Sequence, residues 1–395
     1  MGKRRVPPWM GIAAVLLAAA WGSNQFTPML LVYHRTLGLG TGTLEAMFGA
    51  YALGLIPGLL TAGSLADVHG RRPVVIAAAW FSTAATLSLV LAGHDVALLF
   101  LGRALAGIGS GAAFSAGTAW LREISRPPFG TASEHAVARR VAGAITAGFA
   151  VGPLLSGLLA QWAPAPRVLP YAPHLAAMAL ALVLVRRAPE TLSERSAGAL
   201  RRALPTVRSR RFRQSVAPMA PWVFAAPAIA FALLPSVVGA QHAVDGVALT
   251  ATITMLCALA GVVVQPLARR LDVGATRSRA AQAGLLVTVV GLGLGAFTAH
   301  EHESWLLAPS AVVLGAAYGL CLVAGLVEVQ RLADHQSLAG VTAIFYAVSY
   351  LGFAAPYLIS TAAGSVSYPI LLLIAAALAL GTAALVTHEA VPRAA

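Results

Sequence analysis

The sequence predicts an all-α integral membrane protein of twelve transmembrane helices, and three observations predict it. Of the 395 residues, 58% are hydrophobic and 10% charged, with a mean hydropathy of +0.78, whereas soluble globular chains carry about 25% charged residues. Apolar runs of about 20 residues, long enough to cross a hydrocarbon layer about 30 Å thick, recur along the whole chain. The basic residues also gather on one side of the membrane that those runs define. A surface of this composition faces lipid rather than water. The formal charge of +13 would suggest nucleic acid in a soluble chain, but here it has another origin.

The runs fall at 9–33, 43–66, 73–93, 96–121, 141–162 and 168–185, then at 215–239, 246–268, 280–299, 304–327, 338–360 and 366–387. Lys3-Arg4-Arg5 before the first run resembles the start of a signal peptide. That run is too long for one, and many similar runs follow, so it reads as the first spanning helix. The last two runs are one charge-free stretch, split by the turn residues Ala363-Gly364-Ser365.

Orientation follows from the rule that cytoplasmic segments carry the Lys and Arg residues. With both termini cytoplasmic, all 27 basic residues except Arg35, Arg103 and Arg167 fall on the inner side. The net charge is therefore a topology signal, to which attraction for anionic lipid can add. The one long loop, 186–213, divides six helices from six. The expected organisation is an N-terminal half at 1–187, a cytoplasmic linker at 188–213 and a C-terminal half at 214–395. A weak repeat supports pseudo-symmetry: Leu65-Ala66 recurs as Leu267-Ala268, and Pro153 as Pro356. Two related halves with a site between them is a recurrent transporter plan. Cys257 and Cys321 lie within apolar runs and read as core residues rather than a disulfide.

The run 63–72 carries the most specific chemistry. Two helices joined by a very short loop need Gly63 and Gly70 for close packing and tight turning. Asp67 stands four residues before Arg71, close enough to pair, and can also cap a neighbouring helix N-terminus. Together with Arg72, this stretch resembles the signature loop of the major facilitator superfamily, Gly-x-Leu-Ala-Asp-Arg-x-Gly-Arg-Arg, with Val68 at the usual basic position. The resemblance implies the two-half major facilitator fold and a latch on the inside gate made by Asp67 and Arg71.

Arg103 lies within a helix, where a guanidinium costs about 2.5–3.5 kcal/mol on insertion scales unless it meets a partner or a wet cavity. The segment Leu99-x-x-x-Arg103-x-x-x-Gly107-x-Gly109 resembles a second facilitator motif, associated with proton coupling. An arginine snorkelling to the outer surface is the alternative. Glu45, early in the second helix, is the candidate proton carrier, or else a wet residue at the interface. Glu123 and Glu328, near cytoplasmic helix ends, read as structural. Proton-driven exporters of the superfamily often carry an acid in the first helix; here that helix has Asn24-Gln25.

The fifth run holds Gly143, Gly148, Gly152, Pro153, Ser156 and Gly157. Small residues let helices approach closely, and a proline kinks the axis, so a plain packing seam is one reading. The series also resembles the facilitator antiporter motif, with Ser156 replacing a glycine, which implies export in exchange for protons. Phe26, Trp222, Phe224, Phe231, Phe345, Tyr346, Ser349, Tyr350 and Phe353 lie on the first, seventh and eleventh helices, which border the central cavity in that fold. With Asn24 and Gln25, they suit a hydrophobic or amphipathic substrate. Helix or lipid packing is the alternative for each of them.

His300-Glu301-His302-Glu303 could hold a metal but reads as a solvated loop. No phosphate-binding Gly-rich Lys motif appears, and no nucleophile, metal set or acid pair suggests an enzyme. The expectation is a monomeric, multi-pass transporter of the inner (plasma) membrane. Its partners would be a small-molecule substrate, protons and the lipid bilayer, with no nucleic acid and no cofactor beyond the proton gradient. Proton-coupled efflux is the first reading. A symporter importing a small metabolite, or a non-transporting membrane sensor, is the alternative.

Overall fold

The structure is a computed structural model describing residues 7–192, 199–240, 243–271, 279–334 and 336–388. Lys3, Arg4, Arg5, Arg195, Arg277 and Arg393, used above for orientation, lie outside the described residues. Within them the regular structure is helical throughout. In chain order the helices are α1 (Pro8–Asn24), α2 (Met29–Leu37), α3 (Thr41–His69), α4 (Arg71–Leu91), α5 (Val96–Ala112), α6 (Thr118–Ile124), α7 (Glu134–Trp162), α8 (Ala172–Val185) and α9 (Ala199–Arg208). They continue as α10 (Ala217–Met219), α11 (Trp222–Ala228), α12 (Leu234–Val237), α13 (Gly246–Val263), α14 (Gln265–Leu271), α15 (Arg279–Glu301), α16 (Leu307–Leu332), α17 (Leu338–Tyr350), α18 (Ala355–Ala362) and α19 (Tyr368–His388).

Several of these join end to end. Among the described residues, ten continuous helices are long and apolar enough to cross a membrane. The first run is instead two helices, α1 and α2, bent by 41° across 25–28, and makes an eleventh span if counted as one. The sixth expected span becomes Leu169–Val185. At 1.5 Å per residue it rises roughly 25 Å, short of the ~30 Å layer. By length and composition the described residues therefore give ten or eleven of the twelve expected spans. The loop expected over 186–213 also contains a helix, α9, whose Ala203 is buried and whose arginines face outward.

Breaks within the spans sit where the sequence weakens the backbone ladder. Thr27-Pro28 separates α1 from α2, because a proline nitrogen cannot donate to the preceding turn. A π-helical turn, Ala113–Gly117, joins α5 to α6, and another, Ile229–Leu233, lies between Pro227 and Pro235. Such turns are frequent at functional sites.

The chain divides into two compact units, Met1–Phe26 with Ala50–Gly198, and Thr27–Gly49 with Ala199–Ala395. In the first, α1 packs on α7 and α8, and α4 packs on α5 and α8. Its core gathers Ile12, Leu16, Val75, Trp120 and Met178, all fully buried. In the second, α15 packs on α16 and α19, and α13 and α11 pack on α16. Cys257 and Cys321 are buried there as free thiols.

Candidate functional site

The loop between α3 and α4 forms the expected ion pair and extends it. Asp67 and Arg71 share one helical face, and Arg71 Nη1 donates to Asp67 Oδ1 at 2.6 Å. Arg71 Nε and Nη2 also donate to Glu123 at the end of α6, at 3.1 and 2.9 Å, and Thr191 Oγ1 donates to the same carboxylate. Asp67 does not cap a helix. Glu190 does, accepting from the backbone N–H groups of Arg71 and Arg72 at 2.9 Å each. That is where exposed N–H groups and the helix dipole favour an anion.

Gly70 has φ +104°, and a Cβ there would come within 2.6 Å of Glu190, so glycine is required by both backbone and space. A Cβ at Gly63 would press on Ser115 Oγ at 2.9 Å. Arg72 reaches the Arg186 carbonyl oxygen. Sequence reasoning missed Glu123 as a latch member, and missed Glu190 and Thr191 altogether. The available signal was acidic residues standing among the arginines of the short loops.

Burial raises the Glu190 pKa, but the N–H groups of Arg72, Arg71, Leu192 and Thr191 outweigh it and hold it below its ordinary 4.5. A lowered folded pKa stabilises the fold above the unfolded value, and that stabilisation is lost as pH falls through the folded one. Melting temperatures of the wild type and Glu190→Gln should therefore differ at pH 7 and converge as pH falls below 4.5. A gap that persists at acid pH would contradict this account.

Higher in the first unit, Arg103 is 1% exposed, so it does not snorkel outward. Its guanidinium lies 4.5 Å from the Phe26 ring centre and 4.8 Å from that of Tyr51, and Nη1 donates to the Ser23 carbonyl at 3.2 Å. Tyr51 donates to Ser23 Oγ, which bonds Ser110 Oγ. Gln25 Nε2 donates to the Thr86 hydroxyl, which bonds His174 Nδ1. Asn24, half-buried, ends α1. Polar groups thus surround the point where the first span breaks.

The glycines of the fifth run do not act together. A Cβ at Gly148 would collide with the Leu17 carbonyl oxygen, and one at Gly152 would lie 2.7 Å from that of Trp21, while nothing lies within 4 Å at Gly143. Pro153 is inside α7, and Ser156 Oγ donates to the Gln25 carbonyl at 2.9 Å. That bond ties α7 to the break, beside the buried Gly157.

In the second unit, Glu45 near the start of α3 is 1% exposed, and its Oε2 is buried without a hydrogen-bond partner. It is therefore not a wet interfacial residue. It lines a small cavity with Leu30, Leu31, His34, Thr41, Leu44, Ala232 and Ser236. Nearby, Arg35 donates to the carbonyls of Ala240 and Ala243.

The aromatic residues assemble only in part. Phe224 stacks on Tyr350 at 4.1 Å and lies 5.4 Å from Phe353, which meets Phe48 edge-on at 5.0 Å; Phe48 also meets Phe231. Phe345 pairs with Tyr346, and Ser349 Oγ bonds the Phe345 carbonyl on its own helix. Two residues of the set have other partners as well. Phe26 packs on Arg103 in the first unit, and Trp222 Nε1 donates to Thr382 Oγ1 on α19. Phe48 and Tyr318 join the cluster without having been foreseen, because spacing along one helix does not reveal partners on another.

Glu328, expected to be structural, bonds Arg211 at 2.8 Å and lies 3.6 Å from Arg331. His302 Nδ1 is 3.2 Å from the Val237 carbonyl, and no group of three or more metal-ligating side chains occurs among the described residues.

Many apolar spans, broken helices at buried polar groups and a charged turn between two spans define a polytopic helical membrane protein. The Major Facilitator Superfamily model matches residues 10–355, and the chain belongs to that family. Over 110 residues it is 34% identical to the Multidrug resistance protein MdtL of Klebsiella pneumoniae (strain 342). That stretch is 28% of this chain, and the chain spans 28% of the length of that relative. Among solved structures, a POT family transporter in complex with 5-aminolevulinic acid matches with TM-score 0.78 and 12% identity, over 98% of this chain and 97% of that one. A POT peptide transporter in complex with sulfate matches with TM-score 0.77 and 14% identity, over 99% and 96%. At these identities the likeness is one of fold.

Proposed function

We propose that this transporter exports hydrophobic or amphipathic small organic molecules in exchange for protons, by alternating access. In this reading it is a monomer of the inner (plasma) membrane, with twelve spans, two six-helix halves (1–187 and 214–395) and both termini cytoplasmic. The shorter helix Leu169–Val185 is then the sixth span. The proton gradient is its only energy source, and no cofactor takes part.

The observation that carries the proposal is the buried Glu45 carboxyl, whose Oε2 has no partner inside a mostly apolar cavity. A carboxylate left unpaired in such a place costs several kcal/mol. A group so placed binds a proton when closed in and releases it on meeting water. One proton supplies about 1.4 kcal/mol per pH unit and about 2.3 kcal/mol per 100 mV, enough for a tenfold or greater substrate gradient. Export is favoured over import by the limited likeness to a multidrug resistance protein and by the antiporter-like fifth run, whose Gly148, Gly152 and Ser156 hold α7 against the break in the first span.

The test is a panel of lipophilic organic compounds, ethidium included, added to everted vesicles with an acid lumen. Compound-dependent alkalinisation of the lumen is expected. No response to any compound, or a response confined to right-side-out vesicles, overturns the proposal, and the latter would favour symport.

A further inference from the structure

We propose that the outward face of α9 is a docking surface for the headgroups of anionic phospholipids. The inference goes beyond the export reading and depends neither on Glu45 nor on the compound carried. Its starting point is charge. The stretch 195–213 carries seven arginines and no acid. Clusters of about four to eight basic residues beside a span, or on an amphipathic helix, attract anionic lipid. Some of these arginines are already engaged: Arg211 pairs with Glu328, and Arg202 Nε donates to the Gln336 carbonyl at 3.4 Å. Arg201 and Arg208 have no ion-pair partner among the described residues.

Helical pitch sorts the side chains of α9 into stripes. Leu200, Ala203 and Val207 form one: Ala203 is buried, the other two are half-buried, and α9 packs on α17. Arg201, Leu204 and Arg208 form the next, roughly a quarter of the way round the helix, and all three are exposed. A bare leucine between two guanidinium groups suits a membrane surface. There the leucine enters the acyl boundary and the arginines meet lipid phosphates in bidentate bonds, whereas a free anion gains nothing from the leucine. The stripe also stands at headgroup depth. Past Arg208, Ser209 Oγ accepts from the Phe212 N–H at 3.2 Å, and Phe212–Val237 is the next apolar span. Helical bonding resumes at once, the Arg213 N–H donating to the Ser209 carbonyl. At 1.5 Å per residue, roughly 6 Å of rise separates Arg208 from Phe212, and headgroups occupy about 5–7 Å beyond the hydrocarbon on each side.

The test needs no transported substrate. The full-length protein in detergent is titrated with dioctanoyl phosphatidylglycerol, dioctanoyl phosphatidylcholine or inorganic phosphate, and binding is read from the rise in melting temperature. Phosphatidylglycerol should stabilise the wild type, and the other two should do little. At about fivefold per arginine near a charged surface, Arg201→Gln combined with Arg208→Gln should weaken binding roughly 30-fold. Lysine at both positions keeps the charge and should retain most of the affinity, while Leu204→Ser should lower it. Arg139→Gln, at an exposed arginine on α7, should leave it unchanged. No preference for phosphatidylglycerol, unchanged affinity in the glutamine pair, an equal loss in Arg139→Gln, or full competition by inorganic phosphate each overturns the proposal. If the glutamine pair melts lower than the wild type without lipid, the single variants Arg201→Gln and Arg208→Gln decide by the same criteria. Failure here leaves the export reading standing, because the vesicle assay tests that separately.

Discussion

In everted vesicles with an acid lumen, Glu45→Gln is expected to reduce compound-driven loss of the proton gradient to background while leaving the folded protein intact. The amide keeps the shape of the carboxyl and cannot release a proton. Oε2 makes no protein hydrogen bond that the substitution would break, so stability should change by less than about 1 kcal/mol. Arg103→Ala is expected to reduce coupling as well, but at a cost in stability. It removes the stacking of the guanidinium on Phe26 and Tyr51, worth about 2 kcal/mol where desolvated, and the bond to the Ser23 carbonyl. Measuring melting temperature beside flux separates the two. Full coupling in Glu45→Gln would remove it as the proton carrier.

Gly148→Leu is expected to destabilise the protein by about 1–3 kcal/mol, the usual cost of overpacking a filled interior, and to reduce the yield of folded transporter. The reason is backbone contact: α7 crosses α1 so closely that even a methyl group at Gly148 would strike the Leu17 carbonyl. Neither helix can yield without disturbing Gly152 against Trp21 or the bond from Ser156 to the Gln25 carbonyl. Gly143→Leu, nine residues before Gly152 on the same helix, meets nothing within 4 Å and should change stability by under about 0.5 kcal/mol. Equal melting temperatures for the two variants would mean that the helices have room to separate.

The contrast between these glycines shows how much of the site was legible. Spacing marked all of them, since small residues at intervals of four or so share a face. Which of them touches another helix depends on where the helices cross, and that is absent from any one segment. The Asp67–Arg71 pair was readable because four residues make one turn of helix. The second acid on Arg71 was not, because Glu123 comes 52 positions later, nor was the true cap, Glu190, which lies 119 positions from Arg71. Glu45 was legible as an acid near the end of an apolar run, but its burial was not. The elements that cover it, α2 and the π-helical turn around Ala232, are brought together by a bend and a bulge that hydropathy does not encode.

The sequence by itself determined that this chain lives in a membrane, that it is helical, and to which family its charged turn ties it. Those properties follow from local chemistry: runs too apolar for water, a backbone that must satisfy its own hydrogen bonds in lipid, and short-range pairs fixed by helix pitch. Tertiary structure alone decided that Arg71 bridges two acids, that Arg103 lies between aromatic rings rather than at the surface, and that Trp222 bonds Thr382 on α19. It also decided that Glu45 faces a small, mostly apolar cavity. Each of these depends on the packing of helices far apart in sequence, where a difference of one turn or a few ångströms determines whether a polar group is paired, stacked or left to carry a proton.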